Sequence, residues 1–368
     1  IRALWLAPTW MYGLFVEDPV LYWNSIIFDK GYNAPPPLIA LTRGMFWVFE
    51  RIGGSSFSRA LATLVDIGFM FAAVVAVYRH LGKRSALWLA LGFASYWAFT
   101  QALLGHIWQH VWFASLVFMI VDIKRKRWRW AGWWLGFATM TRVFPLFFLV
   151  PLVMRWWQTR TTPDHPDHAA TRHMLIACAC ACVGLGLVGL ATGLGMEGWV
   201  LFVQKMHAHA TYITAEIYNM GWNNLMGMVI SPDPSEYVRL EVFARWKWVA
   251  QLVAIGMSAG LLYAYRRVSL ARLVLLGVPF IFLWVVLSPL YSLTVLLIPL
   301  VIEGERMERG ATCSREDTWI LIASALLLVE HILFVQSGIT RVISGATLHI
   351  LSQVSFLVYF CLVAYALH

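Results

Sequence analysis

The chain has 368 residues, of which 60% are hydrophobic and only 13% charged. Soluble domains of this size need a solvated surface that such a composition cannot supply, so an all-α polytopic transmembrane helix bundle is expected, a single integral-membrane domain over 1–368. The net charge of +9 would suit nucleic acid in a soluble protein. Here the basic residues collect in short loops between apolar runs, where they set topology and meet anionic head groups, and no nucleic-acid partner is expected.

Residues 1–15 are apolar but broken by Pro8, which reads as the end of a span or an interfacial segment, and one more N-terminal helix is expected ahead of Ile1. A polar stretch follows from Glu17. The run Pro35-Pro36-Pro37 is expected to be extended, leading into a short amphipathic helix on the membrane through Leu38, Leu41, Met45 and Phe49, which Gly53 and Gly54 end. Eleven spans or half-spans are then read at 58–80, 86–104, 108–123, 130–141, 144–156, 174–194, 247–265, 270–287, 290–302, 318–336 and 347–366. Short pairs meet at Thr141 to Pro145 and at Ser288 to Tyr291, and irregular backbone at membrane depth is tolerated only inside protein or beside a cavity, so both junctions are candidate site walls.

Alternation puts Arg79/Lys83/Arg84, the Lys124 to Arg129 block, Arg155/Arg160/Arg172, Arg266/Arg267/Arg272 and Arg306/Arg309/Arg315 on one side, expected to be cytoplasmic. The opposite side receives 1–57 and 195–246 as outward-facing loop regions, together with Arg142 and the turns at 101–110 and 337–346. A multi-pass protein of a bacterial inner membrane with its site toward the periplasm, or toward the lumen in a eukaryote, is the expectation. The five cysteines give no disulfide framework: Cys178, Cys180 and Cys182 lie inside one apolar run, and Cys313 and Cys361 stand far apart.

Several residues could carry chemistry. Arg142 is an isolated cation near an outward junction, suited to a phosphate or to a structural ion pair. Lys205 and Arg341 are also outward, for a phosphate or for snorkelling to head groups. His106 and His110, four apart, would share a helical face as polar lining or hydrogen-bonded turn residues; no third ligand has a convincing spacing, and no metal is expected. His207 and His209 cannot share a helical face. Asp66 and the Glu330-His331 pair are intramembrane ionisable groups, for a proton relay or for helix-to-helix hydrogen bonds. The stretch TPDHPDHAATRH reads as a flexible solvated loop.

In order and spacing, the outer features resemble one family. They are Asp18 then Tyr22 after the first span, the turn Tyr32, Pro35, Pro36, the turn Gly105-His106, Arg142 with Pro145 after the basic loop, Asn223 and Asn224 in the outer loop, and Ser288-Pro289. Together they look like the polyprenyl-phosphate-dependent mannosyltransferases of the membrane-embedded glycosyltransferase C superfamily, in the branch of the phosphatidylinositol-mannoside alpha-1,2-mannosyltransferases. The resemblance covers nearly the whole chain. It departs at Arg142, where the family often has Lys, and after Ser288-Pro289, where Leu290-Tyr291-Ser292-Leu293 stands in place of a Trp and His.

The resemblance implies transfer of a sugar, mannose, from a polyprenyl-phosphate donor to a lipid-linked or glycan acceptor, with no cofactor, and with membrane lipids as the surroundings. Such transfer needs a base for the acceptor hydroxyl and cations for the departing phosphate. Asp18 is the expected base, although Asp before Pro also commonly starts a helix. Arg142, Lys205 and Arg341 are the donor-phosphate candidates, and Glu17, Tyr22, Tyr32, His106, His110, Asn223, Asn224 and Tyr291 the substrate-binding ones. A non-catalytic membrane subunit, lipid-handling protein or transporter on the same scaffold is the alternative that the missing Trp-His pair favours.

Overall fold

The computed structural model describes residues 35–95, 110–162, 164–191, 195–211, 222, 236–284, 295 and 297–308. Among these residues every regular element is helical. Helix α1 is Pro36–His80, α2 Lys83–Ser95, α3 Val111–Lys124, α4 Trp128–Thr141, α5 Leu149–Thr159, α6 Pro166–Leu190, α7 Gly195–Thr211, α8 Glu236–Ala264, α9 Leu270–Val274, α10 Gly277–Trp284 and α11 Leu297–Glu308. Short 3-10 segments at Phe144–Phe148 and Tyr265–Arg267 join α4 to α5 and follow α8. The expected spans at 318–336 and 347–366, with Glu330, His331, Cys313 and Cys361, lie outside the described residues.

The basic loops gather at one end of the bundle. Arg125 Nη1 donates to His80 Nε2 at 3.0 Å, joining the last turns of α1 and α3. Lys124 Nζ lies 2.6 Å from Glu305 Oε2 of α11, and the Glu308 carboxylate accepts the Arg84 backbone N–H at 2.9 Å. Arg155, buried at the end of α5, donates to the carbonyls of Arg266 and Val268 and lies 3.6 Å from Asp167 of α6. Segments distant in sequence thus meet in two bonded groups, one joining the ends of α1, α3 and α11 with the start of α2 and the other joining the end of α5 with the start of α6 and the turn after α8.

Among the described helices, α4 and α6 form the most extensively packed pair. The seam needs small residues, because close backbone approach is what drives helix association where lipid is as apolar as leucine. A Cβ on Gly132 would sit 2.1 Å from the Met174 carbonyl oxygen, and one on Gly136 would sit 2.7 Å from the Cys178 carbonyl oxygen and the Ala181 Cβ. Cys178 is buried in that seam, and the Cys182 thiol points at the Gly136 carbonyl at 3.9 Å. Cys178 and Cys182 therefore act as small packing residues, while Cys180 is exposed. α2 and α11 also pack through small residues: Ser85 Oγ donates to the Val301 carbonyl at 2.8 Å, and a Cβ on Gly304 would meet the Ser85 hydroxyl at 2.9 Å.

Four expectations need correction. Pro35 is extended (φ −59°, ψ 151°), but Pro36 and Pro37 occupy the first turn of α1. Proline is tolerated there because the first N–H groups of a helix have no intrahelical partner. The helix does break at Gly54, where φ is 79° and ψ −178°, a conformation that costs glycine nothing. Leu38 is buried and packs with Val111, Val65, Phe69 and Phe137, so this first part of α1 sits against the bundle as well as at its margin.

The second correction concerns 195–246, which is not one loop: α7 fills Gly195–Thr211, and α8 begins at Glu236 instead of 247. Third, TPDHPDHAATRH is no flexible loop, since α6 starts at Pro166 and the His165 ring accepts the Asp167 N–H at 3.2 Å. Fourth, 270–287 is not a uniform α-helix over its described part: a tighter turn at Leu275-Leu276, with N–H groups bonded three residues back to Arg272 and Leu273, joins α9 to α10 in one apolar helical stretch. Two described stretches, Pro166–Leu190 and Arg245–Arg267, are long and apolar enough to cross a membrane.

Candidate functional site

The opposite end of the bundle is fixed by the same helices. α4 leaves the basic loop after Arg127 and reaches Thr141 about 21 Å away, at 1.5 Å per residue. Its end has a local cause. The Pro145 ring would collide with the carbonyl four residues back, that of Thr141, and has no N–H to bond it. Arg142 consequently leaves the helix in extended conformation (φ −148°, ψ 139°), with its N–H still bonded to the Ala138 carbonyl at 2.9 Å. Thr141, buried, donates its hydroxyl to the same carbonyl at 2.8 Å.

Packing clamps this junction from both sides. The Trp112 ring of α3 meets Phe144 edge-on at 4.5 Å. Across from it, a Cβ on Gly277 would stand 2.4 Å from the Phe148 ring, so α10 can only lie there with glycine. Arg142, half-buried, therefore projects from an irregular segment held by protein on two flanks, the setting in which non-helical backbone is stable at membrane depth.

His110 lies at the same level. The helix pair α1 and α3 runs in one direction: Asp66 and His110 meet at one point, and His80 and Arg125 meet about four turns further on. The Asp66 carboxylate accepts the His110 backbone N–H at 3.0 Å and contacts its Nδ1 at 3.2 Å. Both residues are 1% exposed. Asp66 thus caps the start of α3 from a neighbouring helix, satisfying one of the amides that a helix N-terminus leaves over and placing negative charge at the positive end of its dipole. Between the two options for Asp66, the structure displays the helix-to-helix hydrogen bond. His110 is the turn residue that precedes α3, with its ring enclosed.

The Pro36-Pro37 turn reaches this end too. A Cβ on Gly189, near the end of α6, would meet the Pro37 nitrogen and Cδ at 3.0 Å. α6 runs beside α4 in the same direction, so Gly189 stands level with the Arg142 junction. Trp199 of α7 contacts Gly186 at the same level, which brings the helix carrying Lys205 alongside. The described candidates Arg142 and His110 and the Pro35 and Pro36 marks thereby lie toward the end away from the basic loops, while Lys205 is carried on α7 beyond its Trp199 contact. Glu17, Asp18, Tyr22, Tyr32, His106, Asn223, Asn224, Tyr291 and Arg341 lie outside the described residues, as does the Ser288-Pro289 turn. Among the described residues no group of three His, Cys, Asp or Glu side chains could hold a metal.

Sequence reasoning missed the two carboxylates that organise the basic end, Glu305 and Glu308. Their signal was present: acidic residues in VIEGERMERG, within an otherwise basic end, invite pairing. Backbone N–H groups of Arg84 and Lys83 hold the Glu308 carboxyl below the ordinary glutamate range, with their side-chain charges adding to the effect.

The family model described as glycosyltransferase family 87 matches residues 36–299, from the first helical proline through the Arg142 junction to the start of α11. No curated protein and no solved structure matches the chain. Residues before Pro36, among them Asp18, precede the matched range. With well over half its length matched, this chain, helical in every regular element among its described residues, belongs to glycosyltransferase family 87, a family of sugar-transferring membrane proteins.

Proposed function

We propose that the chain transfers mannose from a polyprenyl-phosphate donor to a lipid-linked or glycan acceptor on the non-cytoplasmic face of the membrane. The observation that carries this reading is the Arg142 junction: a half-buried guanidinium on irregular backbone, at the end of the bundle away from the basic loops. A lipid phosphate at that level needs a fixed cation, and a guanidinium can engage two of its oxygens at once. Lys205 and Arg341 are secondary candidates for the same phosphate.

In this reading Asp18 takes the proton of the acceptor hydroxyl as that oxygen attacks the anomeric carbon, the bond from that carbon to phosphate oxygen breaks, and polyprenyl phosphate leaves from the other face with inversion. Arg142 stabilises the charge that grows on the departing phosphate. The aromatic and polar groups Tyr22, Tyr32, His106, Asn223, Asn224 and Tyr291 serve the sugar and acceptor, and Glu17 lies beside the base.

The test is transfer of labelled mannose from a polyprenyl-phosphate donor by the purified full chain. Asp18→Asn removes the basic lone pair and should lower transfer by roughly 10²- to 10⁴-fold, whereas Glu17→Gln should cost far less. Robust transfer by Asp18→Asn removes this residue as the base. Failure of the parent with any sugar donor instead favours the non-catalytic reading, to which the Leu290-Tyr291 departure points.

A further inference from the structure

Trp112 carries a buried hydrogen-bond donor that the packing of the bundle does not use. It stands in the first turn of α3 and is 1% exposed. An indole has one N–H to give and accepts nothing, and tryptophan near a membrane margin ordinarily keeps that N–H toward the wet interface. Here the ring is enclosed, edge-on to Phe113 with centroids 5.8 Å apart and edge-on to Phe144 at 4.5 Å. Among the described residues nothing accepts its buried Nε1–H.

The backbone oxygens around it serve other groups. The His110 carbonyl accepts the Ala114 N–H at 3.0 Å, and the Val111 carbonyl accepts the Ser115 hydroxyl at 2.7 Å. On the junction side, the Ala138 carbonyl takes the Arg142 N–H and the Thr141 hydroxyl, and the Val143 carbonyl takes the Leu146 N–H at 3.0 Å. The Asp66 carboxylate is turned onto the His110 N–H and ring. A buried N–H left over is costly, and phenylalanine would offer Phe144 a ring edge without that cost. Helical side chains lean toward the start of their helix, which for α3 is the end that holds Arg142. Phe144, the ring against which Trp112 packs, follows Arg142 by two residues on the same irregular segment. Indole and guanidinium are thus fixed to one junction.

We infer that the Trp112 indole N–H donates to a phosphate oxygen of the polyprenyl-phosphate sugar donor, beside the Arg142 guanidinium, so that Trp112 is a further residue of the phosphate site. The inference rests on the reading of Arg142 as the phosphate-binding cation. The oxygens of an ionised phosphate ester only accept, which matches a group that only donates. The guanidinium supplies charge and the indole supplies direction. Because ring packing already holds it, the N–H needs no reorganisation as charge grows on the departing phosphate.

The experiment uses the purified full chain in detergent, isotope-labelled at the tryptophan indole nitrogens, with the Trp112 resonance identified as the one that Trp112→Phe removes. A polyprenyl phosphate is titrated in, and the polyprenol lacking the phosphate is the comparison. The Trp112 indole proton should move downfield with the phosphate and stay in place with the polyprenol. Trp112→Phe should weaken binding of the polyprenyl phosphate about tenfold, the effect of losing a hydrogen bond to a charged group. Trp157→Phe, at an exposed position of the basic end, should leave binding unchanged.

Saturable binding that leaves the Trp112 resonance in place would refute the inference while the Arg142 reading stands. Equal movement with the polyprenol would assign the ring to the prenyl chain and refute it as well, as would equal weakening by Trp157→Phe. Absence of binding by the parent would remove the phosphate reading and this inference together. Should Trp112→Phe fail to fold, labelled tryptophan inserted at position 112 alone identifies the same resonance in the parent sequence, and its response to the phosphate decides.

Discussion

Gly132→Ala should be among the most damaging single-methyl additions in this protein, and Gly184→Ala among the least, although both lie on the α4–α6 pair. A Cβ at 132 would stand 2.1 Å from the Met174 carbonyl oxygen and 2.8 Å from its carbonyl carbon, backbone that no rotamer change can move aside. Ordinary contact requires 3.4 Å, so the helices must part by more than an ångström along a seam that buries Leu135, Ala138, Met174, Cys178 and Ala181. Overpacking of that kind costs about 1–3 kcal/mol, and separation of the whole seam puts it at the upper end. Alanine recovers about 1 kcal/mol through helix propensity, leaving a net loss of roughly 2 kcal/mol. Gly184 has nothing within 4 Å of its added Cβ, so it keeps the propensity gain alone. The two chemically identical changes should therefore differ by about 3 kcal/mol. Unfolding in detergent, followed by tryptophan fluorescence, measures the gap. A difference below about 0.5 kcal/mol would refute the close seam and with it the placement of Arg142 by α4.

Other perturbations separate the site from the scaffold. Arg142→Ala should weaken binding of a polyprenyl-phosphate donor strongly and Arg142→Lys less, because the ammonium keeps the point charge but loses the two-pronged geometry; donor titration of the purified variants checks this. Asp66→Ala strands the His110 N–H at the start of α3 and should cost about 1–3 kcal/mol in the same unfolding assay, with Asp66→Asn, which keeps an acceptor, nearer the low end. Glu308, whose carboxyl is held below its ordinary value of 4.5 first by the backbone N–H of Arg84 and then by that of Lys83, contributes stability that is present above that value and lost as pH falls through the lower folded one. Protection of the Arg84 amide, measured as hydrogen exchange relative to the intrinsic rate at each pH, should accordingly fall below about pH 4.5 in the parent, and Glu308→Gln should show no such step.

Much of the helical frame was legible. Apolar runs placed α3, α4 and α5 to within a few residues, Pro145 dictated where α4 stops, and Gly54 marked the break in α1, since these are local effects of backbone sterics and hydrophobic length. The Pro35 to Pro37 run misled because three prolines suggest extension, while a helix start accepts two of them. α7 was hidden because GMEGWVLFVQKMHAHAT mixes charge with apolar residues and lacks the uninterrupted hydrophobic length that marks a span. For the candidate site, the sequence shows Arg142 as a cation at a forced helix end. The partnership of Asp66 with His110 could not be found there, because it depends on two helices lying side by side in one register, a fact of packing that neither helix encodes alone.

The chain also finishes one of its helix starts out of temporal order. Asp66 is synthesised before His110, so α3 meets its acceptor as it emerges. Glu308 follows Arg84 by 224 residues, with α3 to α10 between them. Until α11 arrives, the Arg84 amide at the start of α2 lacks the carboxylate that will accept its hydrogen bond. Gly82, at φ 110°, leaves open the space that the late carboxylate will fill: a Cβ there would overlap Glu308 Oε2. A nascent chain stalled just short of residue 308 would hold α2 beside an empty berth, and hydrogen exchange at residue 84 would register the arrival of the segment that fills it.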